Sequence, residues 1–132
     1  MAYNLDKLVF VFGSNESGLH GAGAARFAER NRGAVRGVAE GREGMSYAIP
    51  TKDKQIRHTL PLAKIQYYVD RFLNYAFWHP NEEFQVTRIG CGLVGLRDEQ
   101  VAPMFEKAPS NCIFDEAWKP WLGENRKYWG TK

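Results

Sequence analysis

The stretch Leu8-Val9-Phe10-Val11-Phe12-Gly13-Ser14-Asn15-Glu16-Ser17-Gly18-Leu19-His20-Gly21-Ala22-Gly23-Ala24-Ala25 decides the fold. Leu8 to Phe12 is a continuous apolar run of β-forming residues, the pattern of a strand covered on both faces, as in a parallel sheet. The run ends at Gly13, the residues from Ser14 to Ala22 are mostly small or polar, and Ala24 to Asn31 reads as a helix. A strand, a glycine-rich loop and a helix start in immediate succession predict α/β architecture.

The rest of the chain extends this pattern. Asn31 to Gly44 holds Gly33, Gly37, Gly41 and Gly44 among arginines and glutamates without apolar periodicity, and reads as a mobile loop. Met45 to Ile49 is a second short strand stopped by Pro50, followed by a charged connection from Thr51 to Thr59. Leu62, Ile65, Val69, Phe72, Leu73, Ala76 and Phe77 recur at helical spacing, with Pro61 at the start and His79-Pro80 at the end; Phe72 and Phe77 are expected in the core. Phe84 to Ile89 predicts a strand running into Gly90-Cys91-Gly92-Leu93-Val94-Gly95-Leu96, and Asp98 is placed to cap the next helix. That helix tolerates Pro103 near its start and ends near Lys107. Cys112 to Phe114 is the last predicted strand, and Trp118, Trp121 and Trp129 are expected to pack a C-terminal segment or an oligomer interface, which makes a homo-oligomer one expected partner state. The expected fold is a single α/β domain over residues 1–132, a mixed or parallel sheet with helices packed on it.

Composition agrees. A chain of 132 residues, 44% hydrophobic and 25% charged, has enough apolar material for one core. No apolar run approaches the roughly 18 residues needed to span a bilayer, so a cytoplasmic protein without a membrane partner is expected. Cys91 and Cys112 stand outside any CxxC or Cys/His cluster, which predicts free thiols, no metal site and no cofactor. The net charge is only +3, but Arg26, Arg30, Arg32, Arg36 and Arg42 are offset locally by Glu29 and Glu40 alone. Such a field attracts phosphate-bearing ligands; the competing readings are a solvated surface and a nucleic-acid-binding face.

The chemistry is expected in the two glycine-rich loops, because each follows a strand and precedes a helix. Loops at the carboxyl ends of parallel strands line the ligand crevice, and a helix start offers unpaired N–H groups to an anion. The first loop is neither a Rossmann fingerprint, since Gly18, Gly21 and Gly23 space as G-x-x-G-x-G, nor a Walker A loop, since no Gly-Lys-Ser/Thr follows. Candidate ligand-binding residues are Gly13, Ser14, Asn15, His20, Gly21, Ala22 and Gly23 in the first loop and Arg88, Gly90, Cys91, Gly92, Leu93, Val94 and Gly95 in the second. Lys52 is a further candidate, to contact a phosphate, and the resemblance described below adds a distal ribose as its other expected contact. Cys91 lacks a base at an identifying spacing and is expected to pack rather than attack. Tyr47, Tyr67, Tyr68 or the tail tryptophans could stack on a base.

These loops resemble those of the macro domain family, whose members bind ADP-ribose and related nucleotides. Asn15, Gly21, Gly23 and Ala25 match the family's first loop, while His20 and Ala22 stand where glycine is commoner. Arg88-Ile89-Gly90-Cys91-Gly92-Leu93 is similar to the second loop of the branch that includes DNA ADP-ribosyl glycohydrolases and terminal ADP-ribose hydrolases, and Lys52 matches that branch's lysine. Phe12-Gly13-Ser14-Asn15 and Cys91-Gly92-Leu93 also resemble segments of small macro-like proteins encoded by bacteriophages. The resemblance implies binding of an ADP-ribose-type nucleotide, and for a phage protein, sequestration of a host immune signal in the host cytoplasm. It also implies an alternative, hydrolysis of ADP-ribosyl groups from protein or nucleic-acid adducts by Lys52 and Asp98. In the hydrolytic branch an acidic residue follows the Gly-Cys-Gly-Leu segment, and here that position is Val94, so binding is favoured over turnover. Nucleic acid is then expected only as a modified substrate.

Overall fold

The computed structural model describes residues 3–131. Six strands form one mixed sheet: β1 (Val9–Asn15), β2 (Gly41–Glu43), β3 (Ser46–Lys52), β4 (Phe84–Val86), β5 (Cys112–Asp115) and β6 (Lys127–Gly130), in the order β2-β3-β1-β4-β5-β6. Every pairing is parallel except that of β2 with β3. Four helices pack on the sheet: α1 (Gly23–Asn31), α2 (Leu62–Phe77), α3 (Asp98–Val101) and α4 (Lys119–Leu122). The expected α/β class is the observed one.

β1 lies centrally, between β3 and β4, which is why its apolar run has no polar alternation. Its side chains still divide by face. Val9 and Val11 join the larger core cluster with Ile65, Val69, Phe72 and Ala76 of α2, whereas Phe10 and Phe12 join a smaller cluster with Ala28 of α1. Phe72 anchors the larger cluster, edge-on to Tyr47 and Phe84. Along β4, β5 and β6 the same division leaves Gln85, Ile113 and Trp129 off the larger cluster, on the face where α1 packs.

Several expectations give way to tertiary context. β1 does not stop at Gly13: Gly13, Ser14 and Asn15 continue pairing with β3, so the loop begins at Glu16. Pro50 lies within β3, because the β2 ladder stops at Ala48 and the chain returns to that side only at Thr59 and Leu60, opposite Lys52 and Thr51, so a missing N–H at Pro50 costs nothing. The 31–44 segment contains β2, which borrows its hydrogen bonds from β3 rather than showing apolar alternation. β4 ends at Val86 rather than Ile89. Cys112 to Phe114 is not the last strand, since β6 follows it. On α2 the buried stripe is Ile65, Val69, Phe72 and Ala76; Leu62 and Phe77 lie at its ends and are exposed, Phe77 to 61%. Pro103 falls where α3 gives way to a 3-10 turn at Ala102–Phe105, so the interruption is absorbed without a kink. Among the described residues no helix is long and apolar enough to cross a membrane.

Candidate functional site

The carboxyl ends of β1, β3, β4, β5 and β6 open into one cleft of about 1210 Å³. Its lining includes Gly13, Ser14, Asn15, His20, Gly21, Ala22 and Gly23 from the first loop, Lys52 from β3, and Arg88, Gly90, Cys91, Gly92, Leu93 and Val94 from the second loop. The fold thus brings together all of the sequence candidates except Gly95 and Asp98. Gly13 explains how the two loops meet: a Cβ there would stand 3.3 Å from the Gly90 nitrogen, so a side chain would push them apart.

Two register shifts aim side chains at this cleft. Ser14 pairs with Pro50 and Asn15 with Lys52, which leaves Thr51 as an extra residue immediately before the lysine. Phe114 pairs with Tyr128 and Asp115 with Gly130, which leaves Trp129 as the extra residue on β6. Bulges of this kind turn the local backbone and re-aim side chains. The Trp129 indole reaches across β5, its N–H donating to the Val86 carbonyl of β4 at 3.0 Å. Of the aromatics proposed to stack, Trp129 is the one that lines the cleft. Tyr47 is buried against Phe72, Trp118 is buried, Tyr68 donates its hydroxyl to Glu16 at 2.6 Å, and Tyr67 packs on Tyr68.

Backbone amides supply the electropositive part. α1 is nine residues long and enters from Ala22, which provides no side-chain cap, so the N–H groups of its first turn are left unpaired where Ala22 to Arg26 line the cleft. In the second loop, Cys91 donates to Arg88, Gly95 to Gly92 and Leu96 to Gly90, while the amides of Gly92, Leu93 and Val94 have no partner among the described residues. Consecutive free amides of this kind form an anion-binding concavity. Gly95 lies outside the lining and serves the turn, closing it on Gly92 at 3.1 Å.

The polar side chains of the first loop are largely consumed by the loop. The Asn15 side-chain oxygen accepts from the Ser17 N–H and hydroxyl and the Leu19 N–H, and its amide donates to the Leu19 carbonyl at 2.7 Å. Ser14 donates to the Ala39 carbonyl. Asn15 is therefore a loop-shaping residue, not a free donor and acceptor for a ligand. His20 is buried edge-on to Phe12; its Nδ1 lies 3.4 Å from a Glu29 oxygen without hydrogen-bond alignment, and neither ring nitrogen has a hydrogen-bond partner.

Asp98 does not cap α3 and does not face the cleft. Arg97 occupies the cap position, its N–H donating to the Gln100 side chain at 2.9 Å. The Asp98 carboxylate instead receives Arg88 at 2.8 and 2.7 Å and the Trp118 indole N–H at 2.8 Å. The bidentate Arg88 guanidinium holds the Asp98 carboxyl below its ordinary range. Both cysteines are free. Burial, with the Asp98 charge behind it, pushes the Cys91 thiol up to about 12, which removes the thiolate a nucleophile would need.

The arginines of the 26–42 stretch separate into two groups. Arg32 pairs with Asp6 at 3.1 Å and Arg42 with Glu82, away from the cleft. Arg26, Arg30 and Arg36 line the cleft and, like Lys52, join no ion pair among the described residues. The stretch is thus not one basic face. Sequence reading missed Asp115, Thr87 and Ile56 in the lining; Asp115 carried a signal only as the polar residue ending an apolar strand. Among the described residues, no three His, Cys, Asp or Glu side chains converge as metal ligands. The chain matches no family model, no curated protein and no solved structure, so what this cleft holds has to be read from its own residues.

Proposed function

We propose that the cleft binds an ADP-ribose-type nucleotide and holds it without turnover. The observation that carries the reading is the convergence of two unpaired amide sets, the α1 start and Gly92 to Val94, on one cleft with an unpaired Lys52. Two such sets suit a diphosphate, each neutralising charge with backbone dipoles that need no reorganisation. Lys52 on β3 and Trp129 on β6 belong to strands four spacings apart, roughly 19 Å, a span the indole shortens by reaching back across β5, and this suits an extended dinucleotide rather than a free phosphate. The indole supplies a flat apolar surface for a base at the end away from Lys52. The resemblance of both loops to macro domains supports the same ligand class.

Binding is favoured over hydrolysis because the side chains that would do the chemistry are missing or engaged. Val94 offers no proton acceptor, Asp98 is turned to Arg88 and Trp118, and Cys91 stays a thiol. A protein of this kind acts by sequestering its nucleotide.

Calorimetry with ADP-ribose is the test. Binding is expected at about micromolar Kd or tighter, with the ligand recovered intact after long incubation. Trp129→Ala is expected to weaken it roughly tenfold through loss of a stacking surface. Absence of binding to ADP-ribose, its cyclic forms and related dinucleotides would sink the reading; release of ADP-ribose from a modified protein or nucleic acid, lost in Lys52→Ala, would replace it with the hydrolase.

A further inference from the structure

We propose that the α1 wall of the cleft is a second anion subsite, which takes a third phosphate carried as a monoester on the adenosine ribose. The inference rests on the nucleotide reading above and narrows its ligand to a phosphorylated form. The free amides and Lys52 suit a diphosphate, and three further unpaired cations line the same cleft. Arg26 and Arg30 stand one turn apart on α1 and project from one side of it. Arg36 is held at the first loop, because the N–H of the next residue, Gly37, donates to the Gly18 carbonyl at 2.9 Å. None of the three joins an ion pair among the described residues. Glu29 lines the cleft between Arg26 and Arg30, its oxygen 3.4 Å from His20 Nδ1, and leaves the wall with a positive balance.

Size separates this wall from the diphosphate site. The cleft of about 1210 Å³ exceeds the roughly 300–1,000 Å³ of a site for one small ligand. Its lining reaches back to Phe10, near the start of β1, and to Arg30, near the end of α1, whereas the free amides stand at the start of α1 and in the second loop. The cleft therefore runs down the α1 face of the sheet, the face that also carries Trp129. With a base on the Trp129 ring and the diphosphate on the amides, the adenosine ribose spans the interval and presents its free 2′- and 3′-hydroxyls there. A phosphate on one of them supplies what three guanidiniums hold best: three acceptor oxygens and about 1.5 to 2 negative charges near neutral pH.

The experiment measures calorimetric affinity of the full chain for ADP-ribose and for its 2′- and 3′-phosphates. It reads the ratio between phosphorylated and plain ligand, in which a loss common to both cancels. At about 0.02 M salt the wild type is expected to bind one phosphorylated form about tenfold more tightly than ADP-ribose. At about 0.5 M salt the preference should shrink below about threefold, because the three arginines are exposed and their field is screened. The triple variant Arg26→Gln/Arg30→Gln/Arg36→Gln removes side chains that hold nothing in the fold, and should lose the preference at low salt. Equal wild-type affinity for all three ligands overturns the proposal, as does a preference that survives in the triple variant. So does an equal fall in Lys107→Gln, which removes a cation outside the cleft. A short single-stranded oligonucleotide that displaces ADP-ribose from the wild type but not from the triple variant would assign the wall to nucleic acid and equally overturn it. Failure of the wild type to bind any of the three ligands would remove the nucleotide reading itself and the subsite with it, a result distinct from equal binding.

Discussion

Gly18→Ala is expected to destabilise the protein by about 3 kcal/mol, against the 5–15 kcal/mol typical of a domain, while Gly21→Ala three residues on should change it by less than about 1 kcal/mol. Gly18 has φ +73°, and an added Cβ would stand 2.5 Å from the Gly37 carbonyl carbon and 2.8 Å from the Val38 nitrogen. Both neighbours are backbone, so neither yields by a rotamer change. The same contact is where the 31–44 segment is held: Gly37 donates to the Gly18 carbonyl at 2.9 Å, and Ser14 donates to Ala39 close by. The methyl group therefore pushes against the attachment that positions the first loop. At Gly21 nothing lies within 4 Å, because the cleft opens there. Urea denaturation of the two variants checks the contrast; equal midpoints would mean that the Gly18–Gly37 contact is not holding the loop.

Asp98→Ala is expected to cost about 3 kcal/mol. It strands the indole N–H of Trp118, which is fully buried, and releases a bidentate Arg88 that is partly exposed. The larger share comes from the buried indole, since partly exposed pairs contribute less. The pH dependence follows. The folded-state carboxyl titrates below its ordinary value of 3.8, so its contribution is fully present above that value and is lost as pH falls through the lower folded-state pKa. Wild-type stability should therefore fall more steeply than that of Asp98→Asn below about pH 4. Denaturation midpoints from pH 7 to pH 2.5 measure this; parallel curves would show that Asp98 is not held by Arg88. A catalytic Asp98 would instead lose turnover with stability unchanged.

The parts of the fold readable in the sequence were those whose residues act alone. The apolar run of β1 and the middle of the α2 stripe, Ile65, Val69, Phe72 and Ala76, are local patterns and stand where the pattern put them, while the stripe's ends, Leu62 and Phe77, do not. The parts that were not readable depend on a partner. Gly41-Arg42-Glu43 has no strand signature and becomes β2 because β3 offers it a ladder. Pro50 stops a strand in isolation but not beside a ladder that has already ended. Asn15 and Asp98 are the instructive pair for the site: both residue types suit ligand or cap roles, and only the positions of Leu19, Arg88 and Trp118 reveal where their polar atoms go. Trp129 could not be assigned to the cleft because a bulge is a property of two strands.

The sheet order also governs when the cleft comes into being. Val9 pairs with Phe84 and Phe84 with Cys112, and the last ladder closes only when Lys127 to Gly130 docks on β5. Contacts so distant along the chain pay their loop-closure entropy before they are rewarded, which slows folding. A nascent chain that has emerged only through Asp115 can have the β1, β3 and β4 side of the cleft assembled while the wall that Trp129 forms is still missing. On the proposed function, ADP-ribose added during refolding should bind with the final kinetic phase rather than the first, because the cleft is complete only then.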